Sequence, residues 1–312
     1  MIFRIGHSPG LPIAFSKKAS EGGKKSEASV TIAAAAICQF SKSRDGKSSP
    51  VVVAIADRML SSADVEFEPD VPKIKELSAG VVCLYAGDRD AHYAIFEKTR
   101  RVIGGKCTVE EVADRYAGQY MTLRRKRAES KYLTPFGIGY EEFFSKVSDK
   151  NSTLAVDIAQ KIYSERLGIQ AIIAGTDDTG AHLYSVGKDE DGGILPVCHD
   201  DRGFVAIGAG FRQFEIECMR VGFTSQYQWV KALWMMMVAK LRAEVSPGVG
   251  QKTDAVLVID SVPYFREQEI NEIISGLRGH EAQVKKTRDI EIEKMIVRYF
   301  ELMEASDDGN KS

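Results

Sequence analysis

Histidine and cysteine are both scarce in this 312-residue chain, five of each, and neither is grouped. The cysteines, at 38, 83, 107, 198 and 218, are odd in number and widely spread, and three of them sit inside apolar strand or helix patterns. Close pairs of the kind a zinc or iron–sulfur site needs are missing, so these residues read as small buried hydrophobes in a reducing compartment. His7, His92, His182, His199 and His280 are equally scattered. Neither a metal nor any other cofactor is expected, and no Ser-His-Asp or Cys-His set emerges. A surplus of one charge is also lacking: the formal net charge is −2. Without a bulk field to gather polyanions, neither nucleic acid nor membrane is an expected partner. Long apolar runs are absent too. The stretch "GLPIAF" near the start is too short for a signal-peptide core and no segment approaches a membrane span, which predicts a cytoplasmic protein.

What is present suits an ordinary globular chain, with 44% hydrophobic residues and so ample material for a core. Residues 1–30 are the exception. The run "SKKASEGGKKSEAS" has almost nothing to bury, which predicts a disordered tail, a propeptide or a misplaced start. Packed sequence begins with "VTIAAAAIC", whose uninterrupted small and β-branched residues read as a fully buried strand. A polar turn separates it from "VVVAIADRM", a second buried strand ending at Asp57-Arg58, and "GVVCLYAGD" repeats the signature.

Helical periodicity then takes over. Thr108 with Glu111 forms a capping box ahead of apolar residues at 109, 112, 116, 120 and 123. The cluster "RRKR" at 124–127 reads as a solvated helix face rather than a phosphate grip. "TLAVDIAQKIYSERLG" predicts another helix, and "IQAIIAGTDDTGAHLYSVG" a hairpin turning at Asp177 to Gly180. "FVAIGAGF" predicts a strand before a helix at 211–220. "YQWVKALWMMMVAKLRAE", apolar on most of its circumference, predicts a helix buried between layers. The strand "TDAVLVID" precedes helical patterns over 266–306. There Ile292, Met295, Ile296, Tyr299, Phe300 and Met303 form a stripe expected to dock on the body or on a neighbour. Strands in hairpins, helices, strands and helices again predict an α+β fold, a four-layer α/β/β/α sandwich of two antiparallel sheets.

Hydrolysis without a histidine needs another base. A threonine whose own amine is free supplies one, since an α-amino group has a pKa of about 8 and can take the hydroxyl proton near neutral pH. Thr31 lies at the edge of the first buried strand. Asp57 and Lys73 are candidates for a buried carboxylate and cation that would stabilise the deprotonated oxygen, although their spacing alone equally fits a surface ion pair.

The segments "VTIAAAAIC", "VVVAIADRM", "DVPKIKEL" and "VCLYAGD" resemble, in order and spacing, the opening strands of proteasome-type β subunits. The 16 positions from Asp57 to Lys73 and the 30 from Asp57 to Gly87 match that family's catalytic aspartate, lysine and oxyanion-hole glycine. "IIAGTDDTGAHLYSVG" and "FVAIGAG" resemble its second hairpin and next strand, so the likeness spans roughly residues 31 to 260. The segments are also similar to those of bacterial proteasome-like proteins, Anbu-type ones among them. The resemblance implies an N-terminal nucleophile hydrolase domain over 31–262 followed by a C-terminal helical extension over 263–312. It implies Thr31 as nucleophile with its own amine as base, Lys73 held by Asp57, and Gly87 offering its N–H to the oxyanion. A peptide or unfolded-protein substrate, a homo-oligomer and an unidentified ATPase partner belong to the same implication.

The chain also departs from the family. Gly208-Ala209-Gly210 stands where active members carry Gly-Ser-Gly. "SPGVGQKTD" replaces the later Asp-and-Ser segment, leaving Ser246, Thr253 and Asp254 as substitutes. A non-catalytic scaffold subunit is the alternative reading. The catalytic one requires Thr31 to become N-terminal. Val30 occupies the place of the glycine before the cleavage site, and no methionine lies between Met1 and Met59. Valine is what an in-frame GTG start codon encodes, so initiation there would place a removable Met before Thr31. Ser29 is the fallback nucleophile.

Overall fold

The computed structural model describes residues 31–41, 48–62, 65–147, 153–187, 194–259, 265 and 267–308. The expected tail over 1–30 lies outside these residues. Strands β1 (Ile32–Ser41) and β2 (Ser48–Asp57) form the first hairpin. Their near-continuous apolar sequence follows from burial on both faces: Ala33, Ala35 and Ile37 enter one core while Ile32, Ala34, Ala36 and Cys38 enter another. After the short ribbon of β3 (Leu60–Ser62) and β4 (Val65–Phe67) come β5 (Ile74–Ser78) and β6 (Val81–Gly87). Helices α1 (Arg89–Val102), α2 (Val109–Tyr132), α3 (Tyr140–Val147) and α4 (Thr153–Ser164) lead to β7 (Ile169–Asp177) and β8 (Gly180–Val186). The last elements are β9 (Val197–Cys198), β10 (Phe204–Gly208), α5 (Phe211–Arg220), α6 (Trp229–Ala243), β11 (Thr253–Val258) and α7 (Glu267–Asp308).

The fold is mixed α+β around two antiparallel sheets, ordered β10-β1-β2-β11 and β5-β6-β7-β8-β9. Among the described residues, three apolar clusters pack on the two sheets, and a fourth joins α2, α3 and α4 through Ala128, Phe143 and Ile162. One lies between the sheets, where Ala33, Ala35 and Val52 meet Leu84, Ile172 and Leu183. A second joins the other face of the first sheet to α5, α6 and the start of α7 through Phe214, Met236, Met237, Ile270 and Ile274. The third joins the second sheet to α1 and α2 through Cys83, Ile173, Phe96 and Tyr116.

Sequence patterns locate most helices well. Thr108 and Glu111 make the capping box at the start of α2. Its basic cluster has more than a solvated role. Arg124 donates to the carbonyls of Tyr163 and Glu165, Arg125 pairs with Glu141, and Arg127 lies 3.7 Å from Asp88 and 3.8 Å from Glu165. Helix α6 is not enclosed all round. Ala232, Met236, Met237 and Lys240 face inward, but Val230 and Trp234 are exposed, so its inner face alone explains its apolar bulk. Helix α7 is anchored by Ile270, Ile274 and Leu277, and beyond them its stripe does not dock on the body. Ile292, Met295, Ile296 and Tyr299 stay exposed, while the side chains of Phe300 and Met303 fall outside the described ones. A helix of 42 residues is about 60 Å long and outruns the sheet it packs on. Among the described residues no helix is long and apolar enough to cross a membrane.

One buried group sets an expectation for acid stability. His92 on α1 stacks on Tyr85 with ring centroids 3.9 Å apart, and its Nδ1 meets the Tyr116 hydroxyl at 2.9 Å. Its Nε2 is buried with no hydrogen-bond partner among the described residues. Burial, aided by the nearby Lys75 charge, pushes its pKa from 6.5 down to about 3. Below the unfolded value the unfolded chain takes up a proton that the folded chain refuses, so stability falls as pH falls from 6.5 toward 3. From about pH 7.5 to about pH 5 this contributes a loss of roughly 2 kcal/mol. Urea unfolding of wild type and His92→Gln at the two pH values is expected to show a smaller acid loss in the variant. Equal losses would assign the sensitivity to other groups.

Candidate active site

Register brings one end of each strand of the first sheet together. Ala33 pairs with Ala56, Ile32 with Gly208 and Thr253 with Asp57. Thr31 precedes β1, Asp57 ends β2, Gly208 ends β10 and Thr253 starts β11, so all four lie along one edge. In the second sheet, Lys73 directly precedes β5, whose first residue Ile74 pairs with Leu84 near the end of β6. Lys73 reaches that edge of the first sheet from there.

Three of the four expected residues make direct contact. The Thr31 hydroxyl donates to Asp57 Oδ1 and accepts from Lys73 Nζ, while Lys73 Nζ lies 2.8 Å from the same Asp57 oxygen. Thr31 and Asp57 are 0% exposed and Lys73 is 2% exposed, which removes the surface ion-pair reading. Burial lowers the Lys73 pKa below the usual lysine value, against the pull of Asp57, Glu68 and Asp254. Such a cation can stabilise charge on the threonine oxygen, and the carboxylate keeps it tolerable in the interior.

Gly87 is placed by topology and has no direct hydrogen bond to Thr31, Asp57 or Lys73 among the described residues. It ends β6, next to Ala86, which shares the inter-sheet core with Ala33. Its backbone has φ +101°, and a Cβ there would lie 1.9 Å from the Gly168 carbonyl oxygen, so the close approach to Gly168 already requires glycine.

Several residues that sequence reasoning treated lightly shape the site. Gly208, at φ +89°, packs against Thr31, and a Cβ there would lie 2.4 Å from the Thr31 carbonyl oxygen. The same carbonyl accepts from the Gly210 N–H at 3.3 Å, so the Gly208-Ala209-Gly210 turn holds Thr31 by backbone alone. Asp57 Oδ2 accepts from the Gly250 N–H at 2.7 Å, a contact with no local sequence signal because 193 positions separate the two. Among the substitutes, Asp254 Oδ1 accepts from the Arg58 guanidinium at 2.7 and 2.9 Å. Asp254 Oδ2 and the Ser246 hydroxyl are buried without hydrogen-bond partners among the described residues. Thr253 donates to the Gln251 carbonyl at 3.4 Å. The motif "ADRM" does place Arg58 beside Asp57, but its partner lies in β11.

Among the described residues no group of three His, Cys, Asp or Glu side chains converges as a metal site. No protein-family model matches the chain, and no curated protein matches it.

Proposed function

We propose that the chain is a threonine-type N-terminal nucleophile hydrolase that cleaves peptide bonds on a four-layer α/β/β/α sandwich of the proteasome β type. The observation that carries this reading is the Thr31 hydroxyl seated between the Lys73 ammonium and the Asp57 carboxylate, all three buried. Buried ionisable groups with perturbed pKa values gather at functional sites more than elsewhere. Once the Thr31 nitrogen is a free amine, it takes the hydroxyl proton while Oγ1 attacks the scissile carbonyl carbon. Lys73 stabilises the oxygen as its proton leaves, Asp57 holds Lys73, and the Gly87 N–H is assigned to the oxyanion. Collapse of the tetrahedral intermediate passes the proton to the departing amine and leaves an ester on Thr31, which water then hydrolyses. The substrate class is a peptide or unfolded protein, the compartment the cytoplasm, and the assembly a homo-oligomer for which the exposed stripe of α7 offers apolar surface.

A second reading has its own support. Ala209 stands where the resemblance implies a serine, and the Ser246 hydroxyl has no hydrogen-bond partner among the described residues, which favours a scaffold subunit that keeps the fold without turnover. The deciding experiment presents a broad panel of fluorogenic peptides to protein whose first residue has been established as Thr31. Saturable release of the reporter amine supports the hydrolase. Absence of turnover across the panel supports the scaffold.

A further inference from the structure

A second buried lysine lies one contact behind the site, and the mechanism above does not use it. Lys240, on the inner face of α6, is 0% exposed. Its Nζ donates to the carbonyl oxygens of Gly250 at 2.7 Å and Gln251 at 3.0 Å and to Glu244 Oε1 at 2.5 Å. Two carbonyls and one carboxylate match the three donors of an ammonium, so this cation is fully coordinated by protein. Glu244 is in turn held from outside by Arg278 of α7, at 3.0 and 3.2 Å.

Gly250 matters because of its other backbone group. The Gly250 N–H is the group that donates to Asp57 Oδ2, and Asp57 Oδ1 is the oxygen that meets both Thr31 and Lys73. A Cβ at 250 would lie 2.1 Å from Glu68 Oε1 and 2.9 Å from the Met59 Cβ, so the segment must be glycine here and gains no rigidity from a side chain. Burying a lysine is costly even when it is paired, and on this apolar helix face the ammonium supplies three donors that methionine or leucine lacks.

We propose that Lys240 is a positioning residue for the Thr31 site, clamping the 250–251 backbone so that the Gly250 N–H holds the Asp57 carboxylate in register with Thr31 and Lys73. Glu244 and Arg278 extend the clamp to α7, which ties the C-terminal helix to the site through four successive contacts: Arg278 to Glu244, Glu244 to Lys240, Lys240 to Gly250 and Gly250 to Asp57. The proposal rests on the hydrolase reading for its catalytic meaning, but the clamp itself is a backbone property that can be measured without turnover.

The test uses the full chain labelled with 15N-glycine, in wild type, Lys240→Met and Glu244→Ala. The second variant weakens the clamp from the rim if the first fails to fold. In either folded variant the Gly250 amide resonance is expected to move. Its hydrogen exchange should accelerate by about tenfold or more, while the Gly175 amide in the second sheet is unchanged. Where wild type hydrolyses peptides, kcat is expected to fall by about tenfold with KM nearly constant, as for a misplaced catalytic group. An unchanged Gly250 resonance and exchange rate in a folded variant overturns the proposal. A wild type that is inactive although its first residue has been established as Thr31 counts against the hydrolase reading, and the Gly250 amide then decides the clamp by itself.

Discussion

Thr31→Ala is expected to reduce kcat/KM for peptide hydrolysis by at least about a thousandfold while the protein remains folded, because the substitution removes the oxygen proposed to form the acyl ester. The structural cost is modest by comparison. The hydroxyl gives up its bonds to Asp57 and Lys73, but those two groups keep each other at 2.8 Å and Asp57 keeps the Gly250 N–H. Each of the two lost hydrogen bonds to a charged group is worth about 1.5–3 kcal/mol, part of which is recovered because Asp57 and Lys73 keep each other. Circular dichroism and a melting curve beside the kinetics separate the two effects. Turnover within a few-fold of wild type in the variant would remove Thr31 from the mechanism.

Lys73→Met is expected to lose activity to a similar degree and to lose stability as well. Asp57 is fully buried, and without the ammonium its hydrogen-bond partners among the described residues are Thr31 and the Gly250 N–H. Breaking a buried ion pair from one side costs about 3–5 kcal/mol, because the remaining charge is stranded. The paired variant Lys73→Met with Asp57→Asn removes that charge, so it should regain most of the lost stability and none of the activity. Such a cycle distinguishes a catalytic cation from a merely structural one. Urea midpoints and peptide turnover on the four proteins supply the comparison. Recovery of activity together with stability would mean that the pair serves folding alone.

Most strands of the two sheets were legible because burial on both faces leaves unbroken apolar runs over 32–38, 51–56, 81–86 and 171–174, and turn residues such as Asp178-Thr179 mark the hairpins. The site was legible only in part. Thr31, Asp57 and Lys73 were candidates on chemical grounds, and only the resemblance to a family set them above a surface ion pair, since a carboxylate and a lysine 16 positions apart look the same in sequence whether exposed or buried. Gly250 and Lys240 gave weaker signals still. Lys240 does sit on the inner stripe with Met236 and Met237 and four residues before Glu244, a hint of an inward-facing cation. What it touches depends on how residues 244–252 fold back, and no periodicity encodes that. The outer end of α7 illustrates the opposite limit: apolar spacing over Ile292 to Tyr299 shows a stripe but not whether the body extends far enough to cover it.

The central claim is that Thr31 acts with a free α-amine, since an amide nitrogen cannot accept the hydroxyl proton. Intact mass together with N-terminal sequencing of protein expressed from its native gene, upstream region included, tests it most directly. The hydrolase account predicts a mature chain whose first residue is Thr31. A mature chain that still carries Val30 joined to Thr31 would contradict it.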